Sequence, residues 1–288
     1  MRRYELMLAL SMAIFGTISL FVKSIPLSSG EIALFRALLA LVLIALYLIA
    51  NKNPIPFKKI KKALPLLFVS GGAMGVNWIL LFEAYEYTSV SIATLSYYFA
   101  PVIVTLACPV LFKEKLTKKQ ILCFIMSTVG LVLIIGVSGF GEGKSDIKGI
   151  LFGLGAAAFY ASVILLNKFI KGVSGIHRTF LQFLSAAVVV LPYVLVSSGV
   201  HVLSLPPKGI ACLLVLGLVH TGVAYILYFS SLKELPGQKA AILSYIDPLI
   251  SVAVSVLILE EPISSIQIVG GALILVFTLI NELSLKKQ

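Results

Sequence analysis

Leu95-Ser96-Tyr97-Tyr98-Phe99-Ala100-Pro101, with Glu114 thirteen residues past its proline, has a second copy in this chain. That copy is Leu243-Ser244-Tyr245-Ile246-Asp247-Pro248, with Glu261 thirteen residues past its own proline. Around these stretches residues 89–137 and 237–284 run in parallel. Each is an apolar run, then a short acidic turn, then a Gln (Gln120, Gln267) that opens a second apolar run. The two prolines are 147 residues apart in a chain of 288, so the repeated unit is half the chain.

Composition fixes the solvent of those halves. The chain is 59% hydrophobic and 12% charged, with a mean hydropathy of +1.07. A soluble domain carries about 25% charged and about 45–50% apolar residues, so no soluble fold could cover this much apolar surface. The net charge of +11 does not point to nucleic acid, because the basic residues sit in short turns between apolar runs, where they set topology. Met1-Arg2-Arg3 before an apolar run has the look of a signal peptide. The run extends to Val22 with no small-residue cleavage site after it, and reads as a retained first span. Cys108, Cys123 and Cys212 lie inside apolar runs and read as core residues, since free Cys behaves as a small hydrophobe.

A spanning helix needs about 20 mainly apolar residues for a core of about 30 Å. Ten stretches meet that test: residues 4–22, 31–50, 64–83, 90–111, 119–137, 148–167, 179–198, 209–231, 239–259 and 265–283. They divide five and five. Residues 1–137 form the first repeat, the Gly-rich stretch 138–147 an extracytoplasmic linker, and residues 148–288 the second repeat. With the N-terminus inside, eighteen Lys and Arg fall in cytoplasmic segments and four (Lys23, Lys144, Lys148, Lys208) outside. Both termini are therefore expected in the cytoplasm. An odd number of spans per half forces the second half to enter from the opposite side. The turns agree: Lys113-Glu114-Lys115 is basic, while Glu260-Glu261-Pro262 has lost its lysines. The expected fold is an all-α integral membrane protein of ten transmembrane helices, arranged as two inverted five-helix repeats around a central cavity. That architecture is typical of secondary transporters.

Chemistry-bearing residues in such a bundle stand out against lipid. Asp247 lies eight residues past Lys239, about 12 Å deep at about 1.5 Å per residue. A carboxylate there costs about 2.5–3.5 kcal/mol on insertion scales and must face a cavity or a partner. His220, eleven residues into its span, titrates in the physiological range when unperturbed. Asp247 and His220 are the proton-coupling candidates. Pro101 and Pro248 each remove one i→i−4 bond, freeing the carbonyls of Tyr97 and Ser244. Paired helix breaks in corresponding places point to a central site. Asn77, Trp78, Tyr98, Tyr160 and Tyr225 lie within the spans and suit an apolar pocket with a few hydrogen-bonding handles; Trp78, Tyr98 and Tyr225 are too deep to be interface anchors. Gly71, Gly72 and Gly75 give small-residue spacing for close helix packing. Arg36, five residues after Glu31, is expected to snorkel to the interface. Glu114 and Glu261 are expected at helix termini, satisfying backbone amides of the next helix. No metal cluster, phosphate loop or nucleophile motif is present in the sequence, so no catalytic residue, metal or cofactor is expected.

The five-plus-five spans and the two Leu-Ser-Tyr copies, each with its Pro and downstream Glu, resemble the drug/metabolite transporter superfamily, EamA-like type. So does the aromatic first span of each half, around Phe15-Gly16 and Phe159-Tyr160. The resemblance covers nearly the whole chain. It implies a cavity lined by spans 1, 3, 4, 6, 8 and 9, with Phe15, Asn77, Trp78, Tyr98, Tyr160, His220, Tyr225, Ser244 and Asp247 as lining. It also implies secondary transport of small metabolites, often export of amino acids or related compounds. One position departs from an even duplication: Asp247 has only Ala100 opposite it. The expected partners are a small-molecule substrate, membrane lipids and protons, with no nucleic acid. The expected state is a monomer or weak homodimer in the plasma or inner membrane. A passive channel or scaffold is the alternative. An intramembrane lipid-modifying enzyme with Asp247 and His220 as acid and base is a more remote one.

Overall fold

A computed structural model describes residues 2–112, 116–138, 144–232, 234–235 and 237–285. Among them the regular elements are all helical. In order they are α1 (Arg2–Gly16), α2 (Ile18–Val22), α3 (Ser29–Ala50), α4 (Phe57–Ile60), α5 (Leu64–Tyr87), α6 (Val90–Tyr97), α7 (Ala100–Phe112), α8 (Lys118–Ser138), α9 (Lys144–Phe169), α10 (Gly175–Ser197), α11 (Pro207–Leu214), a π-helical run (Val215–Val223), α12 (Ala224–Leu232), α13 (Gly237–Ser244), α14 (Ile246–Leu257) and α15 (Ser265–Leu285). Each of the ten apolar stretches holds helix. Seven helical segments are long and apolar enough to cross a membrane, and Ile242–Leu257 and Ser265–Asn281 are shorter apolar helices. Leu6, Leu46, Val110 and Val132 at the perimeter are exposed, the reverse of a soluble surface and suited to lipid.

The helix starts are written in side chains. Ser28 caps α3 in a reciprocal box with Glu31, and Ser174 caps α10. Two further boxes sit at repeat-related places. The Gln120 amide N–H donates to Thr117 Oγ1 (3.2 Å) and the Thr117 N–H to Gln120 Oε1 (2.7 Å). The Gln267 N–H likewise donates to Ser264 Oγ (3.2 Å) and the Ser264 N–H to Gln267 Oε1 (2.9 Å). The Gln that opens the last span of each half is thus half of a capping box.

Lipid offers no hydrophobic drive between helices, so close backbone approach and interhelical hydrogen bonds hold them. α8 packs on α15 at a glycine crossing: a Cβ on Gly130 would come within 2.5 Å of the Gly270 carbonyl oxygen, and one on Gly270 within 2.6 Å of that of Gly130. α5 is wedged among α3, α9 and α10. Gly71 and Gly75 press against Gln182, Ser185 and Val190 of α10. The Gln182 amide donates to Ser70 Oγ (2.6 Å) and Asn167 Oδ1 (2.9 Å) across the same seam. α1 packs on α12 and α14, α6 and α7 on α9, and α3 on the π-helical run and α10.

Two expectations shift. α9 opens at Lys144, so residues 144–147 of the expected linker are its first turn, with Asp146 accepting from the Thr88 hydroxyl at 2.7 Å. Arg36 does not snorkel: it is 3% exposed, because Thr221 and two aromatic rings hold its head inside the bundle. Glu114 and its neighbours Lys113 and Lys115 lie outside the described residues.

Candidate functional site

Both proline positions interrupt their helices. α6 ends at Tyr97, the Phe99 N–H reaches only Ser96 O (3.2 Å), and α7 restarts at Ala100. α13 ends at Ser244, the Tyr245 N–H turns to Ile242 O (3.2 Å), and α14 restarts at Ile246. Pro101 and Pro248 have no N–H to give the carbonyls one turn back, so each chain tightens into a three-residue turn.

The two breaks face each other. The Tyr98 hydroxyl donates to Asp247 Oδ2 at 2.6 Å, within the range of a charge-assisted bond. Above it run two more polar rungs between α6 and α14: Thr94 Oγ1 with Ser251 Oγ at 2.9 Å, and the Ser91 N–H to Ser255 Oγ at 3.1 Å. The helices are antiparallel here, since the sequence numbers rise on one as they fall on the other. At the far end Ser255 Oγ donates to Glu261 Oε2 (2.5 Å), which also accepts the N–H of Val90, the first residue of α6 (2.7 Å). Lys23, past the end of α2, pairs with the same carboxylate. Glu260 takes a left-handed φ of 53° to turn the chain there, uncommon for a side chain other than glycine. Glu261 therefore satisfies an amide, as expected of it, but that of α6 rather than of the next helix. It closes one end of the seam among α2, α6 and α14.

Aromatic rings surround the breaks. Tyr97 lies 5.3 Å from Tyr160 and 5.8 Å from Tyr98, centroid to centroid, and Tyr98 lies 6.5 Å from Tyr245. A second chain of rings runs Phe15–Tyr225 (5.1 Å), Tyr225–Phe183 (5.1 Å) and Phe183–Trp78 (5.2 Å). Asn77, 2% exposed, donates its amide to the Ala156 carbonyl at 2.7 Å and lies beside the Tyr97 hydroxyl. Ser244 spends its hydroxyl on Ala240 O of its own helix (2.8 Å).

The π-helical run places the next groups. Its wider turn sets Gly217 and Gly222, five residues apart, over Leu39 and Leu43 of α3, four apart. Thr221 Oγ1 bonds back to Leu216 O, five residues earlier, at 2.9 Å. The same oxygen accepts from Arg36 Nε at 3.0 Å. The Arg36 guanidinium carbon lies 4.6 Å from the Trp78 centroid and 5.3 Å from that of Phe82. His220, 3% exposed, has Nδ1 3.3 Å from Val215 O and Nε2 3.0 Å from Thr17 Oγ1, at the break between α1 and α2. A carbonyl can only accept, so Nδ1 carries a proton. His220 and Asp247 are therefore not each other's hydrogen-bond partners.

Of the residues singled out in the sequence, Asp247, Tyr98 and Tyr160 gather at the breaks, with Asn77 beside them. Trp78 and Tyr225 form the second ring chain, and His220 ties the π-helical run to α1. Arg36, expected at the interface, lies instead inside the bundle, and Thr221, Thr94 and Ser251 are additions from the structure. Ser and Thr at helical spacing on both sides of the breaks (91, 94; 251, 255), and the five-residue Gly217/Gly222 interval, are the signals that could have found the last three. Among the described residues no group of three His, Cys, Asp or Glu is gathered as a metal site.

Known proteins resemble this chain over most of its length. The EamA-like transporter family matches residues 2–136 and 147–282. The uncharacterized transporter YxxF of Bacillus subtilis (strain 168) is 30% identical over 246 residues, 85% of this chain and 78% of that protein. An uncharacterized transporter of Archaeoglobus fulgidus is 28% identical, over 97% of this chain and 96% of its own. Protein PecM of Dickeya dadantii is 25% identical over 83% of this chain and 77% of its own. A crystal structure sharing 16% identity superposes with a TM-score of 0.68 over 99% of both chains, which shows the same fold. This chain belongs to the EamA-like transporter family, and it is a multi-pass membrane transporter.

Proposed function

We propose that this member of the EamA-like family is a secondary carrier that exports small metabolites, amino acids or related compounds, by alternating access with protons as the coupling ion. Its ten helical segments would form two inverted repeats, residues 1–137 and 148–288, in the plasma or inner membrane with both termini cytoplasmic. Cargo would sit at the facing breaks, against Tyr97, Tyr98, Tyr160, Trp78 and Tyr225.

The observation that carries this reading is the Tyr98–Asp247 bond, which joins the broken helix of one half to that of the other. The antiparallel run of α6 against α14 supports the inversion, and the packing supports a two-fold relation of the halves. Exchanging the halves maps α5 on α9 onto α12 on α1, α10 on α5 onto α3 on the π-helical run, and α8 on α15 onto itself. Glu261 and Lys23 lie on the side that the basic residues mark as extracytoplasmic, so this conformation is latched there. Opening that side requires Glu261 to release Val90 and Lys23. Asp247 is the group assigned to proton coupling. His220, with both nitrogens engaged, is assigned to holding the α1 break.

The test is untargeted mass spectrometry of the medium of cells overexpressing the chain, beside an Asp247→Ala control. A compound enriched by the wild type alone is the expected result and names the cargo. Enrichment by both would demote Asp247 to a structural role. No enrichment, with the protein confirmed in the membrane, would contradict export.

A further inference from the structure

Arg36 is a buried cation with most of its hydrogen-bonding capacity unspent. A guanidinium offers five N–H donors. Nε–H is taken by Thr221. Among the described residues no acceptor meets the two terminal NH2 groups. The described ion pairs are Lys23–Glu261 and His201–Glu31, and Asp247 is taken up by Tyr98. The side-chain atoms that are both sealed from solvent and unpartnered are Ser19 Oγ, Ser91 Oγ, Ser96 Oγ, Ser127 Oγ, Arg178 Nε and Asn281 Oδ1. The terminal nitrogens of Arg36 are not among them. The residue as a whole is 3% exposed, so the fork ends inside the bundle.

The surroundings say where. Trp78 and Phe82 cover the guanidinium on the α5 side. Through Trp78 the guanidinium adjoins the ring chain Trp78–Phe183–Tyr225, and its charge is coupled to Tyr85, Tyr97 and Tyr225. The same three tyrosines feel the Asp247 carboxylate. Arg36 and Asp247 thus front one group of tyrosines without pairing with each other. An unpaired cation at this depth is costly to insert, and contact with aromatic faces recovers only about 0.5–2 kcal/mol. A purely structural arginine would turn its fork onto backbone carbonyls, as Arg178 does with Ile170 O at 2.9 Å. Arg36 instead has its stem fixed and its planar fork left open.

We infer that Arg36 is the anion-binding residue of the central site: its two NH2 groups take an oxyanion of the transported molecule, a carboxylate or a phosphate, in a bidentate pair. The inference rests on the carrier reading above and deepens it. Thr221 and the ring pair Trp78/Phe82 position the fork, and the tyrosines between Arg36 and Asp247 are the floor on which the rest of the molecule lies.

The test measures ligand-induced thermal stabilisation of the purified full chain in detergent. The probes are α-amino acids, monocarboxylates and phosphate monoesters, each beside its neutral amide or alcohol analogue. The wild type should prefer one oxyanion over its neutral analogue by about 10- to 100-fold, the scale of a lost charge-assisted pair. The carboxylate and phosphate arms identify the source of the oxyanion. Arg36→Gln should bring the preference to near unity while the neutral analogue still binds, an outcome that general damage to the fold would not produce. Arg36→Lys should keep a reduced preference. If Arg36→Gln does not fold, Thr221→Val keeps the charge but frees its stem, and should lower the preference several-fold. A preference that survives in Arg36→Gln (or in Thr221→Val, where that variant stands in), or a wild type that binds no oxyanion of the panel, overturns the inference. The two readings fail separately. Vesicles that exchange a cation or neutral compound independently of Arg36 sink the anion site and keep the carrier. A preferred oxyanion bound but never exchanged sinks the carrier and keeps the site.

Discussion

The two proline breaks are built alike and equipped differently. Both tighten into a three-residue turn before the proline, and both begin helices that pack across the centre. The first break offers Tyr97 and Tyr98 and, just before its proline, the buried Ala100. The second offers Asp247 at that position. Duplication supplied the backbone device twice, and the chemistry was then divided: one half donates a hydroxyl, the other holds the carboxylate that accepts it. On the proton-coupled reading proposed above, a group that gains and loses a proton is needed once per site. A hinge is needed on both sides.

That division predicts unequal effects at the breaks and equal ones elsewhere. The largest effect is expected from Asp247→Asn, which should abolish transport driven by a pH gradient in vesicles while leaving exchange of cargo intact. Next, Ala100→Asp, which writes the same acid into the other break at a position 1% exposed, should sharply reduce folded protein recovered by size-exclusion chromatography. An unpartnered carboxylate there costs about 2.5–3.5 kcal/mol on insertion scales. Tyr98→Phe removes one donor to Asp247 and should slow gradient-driven transport by about tenfold, the value of a hydrogen bond to a charged group. The glycine crossing should then behave symmetrically. Gly130→Ala and Gly270→Ala should each cost about 1–3 kcal/mol, as overpacking does, with near-equal falls in the midpoint of thermal unfolding. Smallest are the capping boxes: Thr117→Val and Ser264→Ala should each cost about 1 kcal/mol. Unequal results in either matched pair would break the comparison.

The helices, their order and the two breaks were legible in the sequence because lipid imposes long apolar runs and because proline cannot complete a helix. Asp247 was legible for a related reason: a carboxylate inside such a run stands out. Arg36 stood out equally but was assigned to the interface, since its partners Thr221, Trp78 and Phe82 lie on other helices and no local spacing reveals them. The π-helical run was hidden because hydrophobic periodicity is uninformative where every face is apolar, and only the five-residue glycine interval records it. Glu261 was read as serving its own neighbourhood. Its partners Val90 and Lys23 come from the other half, and such contacts are set by packing rather than by sequence proximity.

The most direct test of the carrier account is counterflow in proteoliposomes. It uses the compound that cells expressing the wild type enrich in their medium, with wild type and Asp247→Asn side by side, with and without a pH gradient. The account predicts saturable, trans-stimulated exchange by both proteins and gradient-driven accumulation by the wild type alone. Flux that does not saturate, or accumulation by Asp247→Asn at the wild-type rate, would contradict it.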